Sequence, residues 1–100
     1  LDAGVTALDA LALVPDEQRS RVAIMIDGGI RRGSDIFVAL CLGARFVFVG
    51  RAVLYGLIAG GEGGARHAIS ILADELNTTF GQVGCTDIHG LGRDLIVCAR

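Results

Sequence analysis

Two continuous apolar runs constrain this chain more than any other feature: Val22-Ala23-Ile24-Met25-Ile26 and Phe46-Val47-Phe48-Val49. A strand with one wet face alternates apolar and polar residues, whereas these do not alternate. The pattern predicts parallel strands buried on both faces, with helices covering them outside. Each run breaks at glycine, the first at Asp27-Gly28-Gly29 and the second at Gly50. Between them, Ile36, Phe37, Leu40 and Cys41 recur at helical spacing over Ser34 to Leu42. Ser34 or Asp35 can cap that helix and Gly43 can end it. Strand, helix and strand therefore form one βαβ crossover, which is right-handed almost without exception.

The flanking segments read as helices. Val5, Leu8, Leu11 and Ala12 place a helix over Val5 to Val14, closed by Pro15. After the second run, Ala52 to Ala59 reads as a short apolar helix, stopped by Gly60-Gly61-Glu62-Gly63-Gly64. A longer helix follows over Ala65 to Val83, with Ala68, Ile69, Leu72, Leu76 and Phe80 on one face and Arg66, Asp74 and Glu75 more exposed. From Gly84 onward no period is visible. Two strands cannot close a sheet or cover these helices. A (β/α)8 barrel supplies the missing strands, and it commonly carries an extra short helix after its last strand. The expected fold is α/β: the C-terminal quarter of a TIM barrel, its last two βα units, in one domain portion spanning residues 1–100. The start, Leu1-Asp2-Ala3-Gly4, has no initiator Met, which reads as a piece of something larger. Alone, such a piece should be oligomeric or molten, or should survive only beside the rest of its barrel, because its sheet edges stay open.

Composition excludes several classes. With 52% hydrophobic and 20% charged residues, the chain is not disordered. Its net charge is -2, every cation is Arg, and no basic stripe exists, which argues against nucleic acid as a partner. No apolar run is long enough to span a bilayer, and the first residues lack the character of a signal peptide. Cys41, Cys85 and Cys98 are odd in number, widely spaced and form no CxxC. They read as free thiols packed as small hydrophobes in a reducing compartment, with neither a disulfide framework nor a metal site. A cytoplasmic location is expected, with membrane association of the parent left open. His67 and His89 stand far apart without acidic partners at ligand spacing, and read as surface or packing residues.

The chemistry lies where the strands end. Strand, Gly, then Arg occurs twice, as Gly28-Gly29-Ile30-Arg31 and as Gly50-Arg51. In a parallel barrel both loops reach the C-terminal face side by side, where the last two βα loops usually bind phosphate. Glycine lets backbone N–H groups approach an anion closely. The helix beginning near Ala52 points the positive end of its dipole at the same place. Arg31 and Arg51 can fork onto phosphate oxygens, each charge-assisted bond being worth about 1.5–3 kcal/mol. Plain turn chemistry and solvated arginine are the alternative. Arg32, next to Arg31, should point elsewhere, to solvent or to an acidic partner. Asp27 is either a helix-orienting carboxylate or an acceptor for a ligand hydroxyl.

Three stretches carry a family resemblance: Asp27 to Asp35 (DGGIRRGSD), Ala39-Leu40-Cys41-Leu42-Gly43-Ala44, and Gly50-Arg51-Ala52. Together they resemble the FMN-dependent 2-hydroxy-acid oxidase and dehydrogenase family, which includes glycolate oxidase, lactate oxidase and mandelate dehydrogenase. The likeness extends over nearly the whole chain, including Gly63 to Leu76 and Gly84-Cys85. The runs Gly50 to Leu57 and Cys85 to Ile88 are similar to the bacterial mandelate branch. The resemblance implies a barrel holding FMN at the C-terminal ends of its strands. Asp27, Gly28, Gly29, Ile30, Arg31, Gly50 and Arg51 would be the cofactor-binding residues. It also implies a 2-hydroxy-acid substrate, oxidised to the 2-oxo acid as a His takes the hydroxyl proton and hydride passes to FMN. The remainder of the barrel and a homo-oligomer, tetrameric or larger, are the other partners implied. Leu1-Asp2 would be the end of the family's His-Gly-x-Arg-Gln-Leu-Asp motif, which leaves its base, its carboxylate-binding Arg and the flavin-ring Lys unmatched here, so no catalytic residue is assigned and the segment alone should be inactive. The remaining alternatives are another FMN- or phosphate-binding barrel fragment and a non-catalytic phosphate-binding scaffold subunit.

Overall fold

A computed structural model describes residues 3–97. The chain runs α1 (Ala7–Ala12), α2 (Asp16–Arg21), β1 (Met25–Asp27), α3 (Gly33–Cys41), β2 (Phe46–Phe48), α4 (Arg51–Val83), and then two single 3-10 turns at Ile88–Gly90 and Arg93–Leu95. β1 and β2 pair in parallel, with Met25 opposite Phe46, Ile26 opposite Val47 and Asp27 opposite Phe48. The expected strand–helix–strand crossover is present.

Its strands are shorter than the apolar runs. Parallel pairing begins at Met25, although the Ile24 carbonyl already accepts a 2.8 Å hydrogen bond from Arg45 N. By the same register Val22 and Ala23 face the Gly43–Ala44 turn, where no strand exists for them to pair with. The expectation of burial on both faces is also corrected. Ile26 is buried at 4% exposure, whereas Met25 and Phe46 on the opposite face are 61% and 54% exposed. One face carries the core, in which Leu11, Ile26, Ala39, Leu42 and Ala44 cluster, with Ile24, Val38 and Val47 packed against them. α1 and α3 cover that face. Among the described residues no element covers the other face, so an apolar run written for two covers has received one. Phe46 and Phe48 pack edge to face there, their centroids 5.0 Å apart.

α1 is shorter than Val5 to Val14 because Thr6 caps it, its Oγ1 accepting from Asp9 N at 3.1 Å. α2 was not legible from apolar periodicity, since Asp-Glu-Gln-Arg-Ser-Arg has none. Charge explains it instead: Asp16 and Glu17 occupy its first turn, Arg19 and Arg21 its last, matching the helix dipole. Pro15, expected only to close a helix, sits at the N-cap of this one.

The two expected C-terminal helices are the two arms of α4, which leaves helical backbone angles only at Gly60 and Gly61. The glycine run therefore breaks the helix in a narrower place than expected. The second arm takes in Gly63 and Gly64, and Glu62 pairs with Arg66 at 2.8 Å. The arms pack closely where Gly56 meets Gly64. On the second arm Leu72 is buried as expected, but Ile69 is exposed. Phe80 meets Phe37 of α3 edge to face, centroids 5.8 Å apart. Cys41 is buried as a small hydrophobe and Cys85 is half-buried, both as free thiols; Cys98 lies outside the described residues.

α3 begins against the second arm so tightly that only glycine fits. A Cβ on Gly33 would stand 2.5 Å from Glu75 Cβ and collide with the backbone of Leu76. Gly33→Ala should therefore cost about 1–3 kcal/mol, as overpacking does. Thermal unfolding checks this, and an unchanged Tm would contradict the close approach.

Candidate functional site

Both strands deliver their ends to one cavity of about 520 Å³. Its wall is formed by Asp27, Gly28, Gly29, Ile30 and Arg31 after β1, and by Phe48, Gly50, Arg51, Ala52 and Tyr55 after β2. All seven residues singled out from the sequence thus meet in one place, although the two groups are separated in the chain by the whole of α3. The parallel register causes this, because it sets Asp27 beside Phe48 and so brings the two following loops together.

The first loop turns through Gly28 and Gly29, whose φ values of 112° and 77° suit glycine and strain any other residue. Ile30 then drops into the interior at 5% exposure, anchoring the loop, while Arg31 remains exposed on the cavity wall. Asp35 fixes the loop's exit: its Oδ2 accepts from Arg31 N and Arg32 N, both at 2.9 Å. Of the two capping candidates, Asp35 therefore acts, reaching back from the third position of α3. On the other side α4 starts at Arg51, so its first-turn N–H groups, which have no intrahelical acceptor, open beside the cavity.

Arg32 behaves as the adjacent arginine should. Its backbone is extended, at φ -132° and ψ 157°, so its side chain leaves opposite to that of Arg31. It grips Glu75 on α4 through Nε at 2.9 Å and Nη2 at 2.6 Å, both to Oε2. Glu75 Oε1 accepts from Gly33 N at 2.9 Å. These bonds, from Arg32 first and Gly33 second, hold the Glu75 carboxyl below its ordinary range. Glu75 was expected on the exposed face of its helix and is instead half-buried against α3. Helical periodicity ranks a carboxylate as solvent-facing and cannot see a partner 43 positions away.

Phe48, Ala52 and Tyr55 line the cavity without having been singled out. The sequence signal for Tyr55 is its spacing, four positions after Arg51 on one helical face. His67 and His89 are exposed and stand outside the cavity wall. The donors present are two arginines, a helix start and a double-glycine turn, beside one carboxylate. This set suits a phosphate-bearing ligand with a polyol or hydroxyl portion.

A parallel βαβ unit with a cavity at its strand ends belongs to the α/β class of folds, in which ligand sites lie at the C-terminal edge of the sheet. More specifically, the chain belongs to the FMN-dependent dehydrogenase family, which it matches over residues 1–98. It is 42% identical over 91 residues to an L-lactate oxidase of Nostoc sp., covering 91% of this chain and 25% of that protein. It is 35% identical over 100 residues to human 2-hydroxyacid oxidase 2, covering 100% of this chain and 28% of that protein. Among solved structures it resembles a soluble mutant of the membrane-associated (S)-mandelate dehydrogenase from Pseudomonas putida, with TM-score 0.85 and 41% identity over 95% of this chain and 27% of that one. It also resembles a mutant flavocytochrome b2 with pyruvate bound, with TM-score 0.87 and 39% identity over 95% of this chain and 26% of that one. These neighbours are FMN-dependent TIM-barrel flavoenzymes. The chain spans about a quarter of the length of the curated relatives it matches. No helix of the described residues is long and apolar enough to cross a membrane.

Proposed function

We propose that this chain is the FMN-phosphate-binding segment of a 2-hydroxy-acid oxidase or dehydrogenase, supplying the last two βα units of its barrel. The observation that carries the reading is the convergence of Gly28-Gly29, Arg31, Gly50 and Arg51 on one cavity at parallel strand ends. In this reading Arg31 and Arg51 share the phosphate, the turn at Gly28 and Gly29 offers it backbone N–H groups, and the start of α4 adds its dipole. Asp27, at the end of β1, accepts from a ligand hydroxyl. FMN held by these residues would supply the acceptor for the hydride equivalent that leaves the substrate carbon. The segment's own work is to bind and orient, and the proton acceptor comes from elsewhere in the protein. The apolar face bearing Met25, Phe46 and Phe48 is the side that the rest of the barrel covers. A cytoplasmic protein assembled as a symmetric oligomer completes the proposal.

The test is anaerobic addition of lactate, glycolate and mandelate to the FMN-loaded protein that contains this segment. Loss of oxidised-flavin absorbance, with the matching 2-oxo acid formed in equal amount, is the expected result. Flavin that binds but stays oxidised with every 2-hydroxy acid would favour another FMN-binding barrel.

A further inference from the structure

The phosphate-facing loop does not hold itself in place. Its exit runs through Arg32 into Gly33, and both residues are fastened to the same carboxylate on a different helix. Glu75 lies 43 positions beyond Arg32, outside the cavity wall, on the second arm of α4. Both of its oxygens are engaged. Oε1 takes the N–H of Gly33, the first residue of α3, at 2.9 Å, and Oε2 takes the Arg32 guanidinium at 2.6 and 2.9 Å. Arg32 Nε reaches Oε1 as well, at 3.2 Å. The joint is tight, because Gly33 is buried directly against the Glu75–Leu76 backbone. Asp35 ties the same stretch from within α3, through the N–H groups of Arg31 and Arg32. The chain between the cavity and the outer helix is thus held at three consecutive residues: Arg31, Arg32 and Gly33.

From this geometry we infer that Glu75 is a positioning residue for the phosphate site, holding Arg32 and Gly33 on the outer helix so that Arg31 and the double glycine face the cavity. The inference rests on the phosphate reading of that cavity. The physical basis is preorganisation. An arginine on a loop that must be ordered at binding loses affinity by the entropy of that ordering, whereas a loop already fixed does not. Glu75 also keeps a second guanidinium, that of Arg32, turned from the cavity. The neighbouring groups serve the same joint: Thr79 Oγ1 donates to the Glu75 backbone carbonyl at 3.0 Å, and the Phe37–Phe80 pair clamps the helices one turn further on.

A positioning role aimed at the phosphate differs measurably from a general contribution to stability. FMN and riboflavin share the flavin and the ribityl chain and differ in the phosphate. Their dissociation constants should be measured on the full-length flavoprotein carrying this segment, for the parent, Glu75→Ala, Glu75→Gln and Arg31→Ala. Glu75→Ala is expected to weaken FMN about tenfold while riboflavin changes by less than about twofold. Glu75→Gln keeps an acceptor for Gly33 N and loses the charge opposite Arg32, so it should fall between parent and Ala. It also carries the test if the Ala variant does not fold. Equal weakening of both flavins, or of neither, would overturn the inference. Arg31→Ala separates the two possible failures. If it narrows the preference for FMN over riboflavin and the Glu75 variants do not, only the positioning role is lost. If it does not narrow that preference, the phosphate reading falls and takes this inference with it.

Discussion

Arg51→Ala is expected to strip most of the FMN from the protein during gel filtration, and Arg31→Ala to do so nearly as well. In the proposed site each guanidinium would contribute charge-assisted hydrogen bonds worth about 1.5–3 kcal/mol. That corresponds to about a 10- to 150-fold loss of affinity for each residue removed. Arg51 carries the larger effect because it opens α4, where its charge adds to the unpaired first-turn N–H groups. Arg32→Ala is the control and should be milder, since its guanidinium is bound to Glu75 and lies outside the cavity wall. Even without it, Glu75 can still accept from Gly33 N. Fluorescence titration of the apoprotein with FMN provides the measurement. If Arg31→Ala and Arg51→Ala both leave affinity within about twofold of the parent, the two arginines do not grip a common phosphate.

The second large effect concerns turnover. The 100-residue chain by itself should oxidise no 2-hydroxy acid, and adding the remainder of the barrel with FMN should restore activity. Removing the hydroxyl proton needs a base within hydrogen-bond reach, and such help is worth about 10²–10⁴ in rate. Neither histidine here is placed to give it. His67 is exposed on the second arm of α4, and His89 is exposed in the 3-10 turn at Ile88–Gly90; neither lines the cavity. Mixing the two polypeptides and following mandelate, lactate and glycolate with an artificial electron acceptor provides the test. Activity from the short chain alone, lost on His67→Ala or His89→Ala, would remove both the assignment of roles and the proposed substrate class.

Much of the site was legible in the sequence because its chemistry is local. Gly28-Gly29 and Gly50-Arg51 follow their strands directly, and the turn and the arginine are properties of a few adjacent residues. Continuous apolar runs likewise specify parallel strands from short-range pattern alone, and Asp35 caps α3 from three residues inside it. Helix α2 escaped because its support is charge against dipole, with no apolar stripe to mark it. The glycine run predicts a full stop because glycine propensity is a local cost of about 1 kcal/mol per residue. Close packing of Gly56 against Gly64 offsets that cost, and packing is not local.

By itself, then, the sequence determined the βαβ order, the places where the strands end and the residue types waiting there. It also pointed Arg31 and Arg51 toward one place and Arg32 away from it; only the tertiary structure decided that the partner of Arg32 is Glu75 on α4. It alone decided that Glu75, polar and on a polar helical face, is half-buried at the joint. The physical reason is reach. Periodicity and turn chemistry are set by neighbours within one or two turns of chain, whereas the register of β1 on β2 and the fold-back of α4 are set by burial of surfaces far apart in sequence.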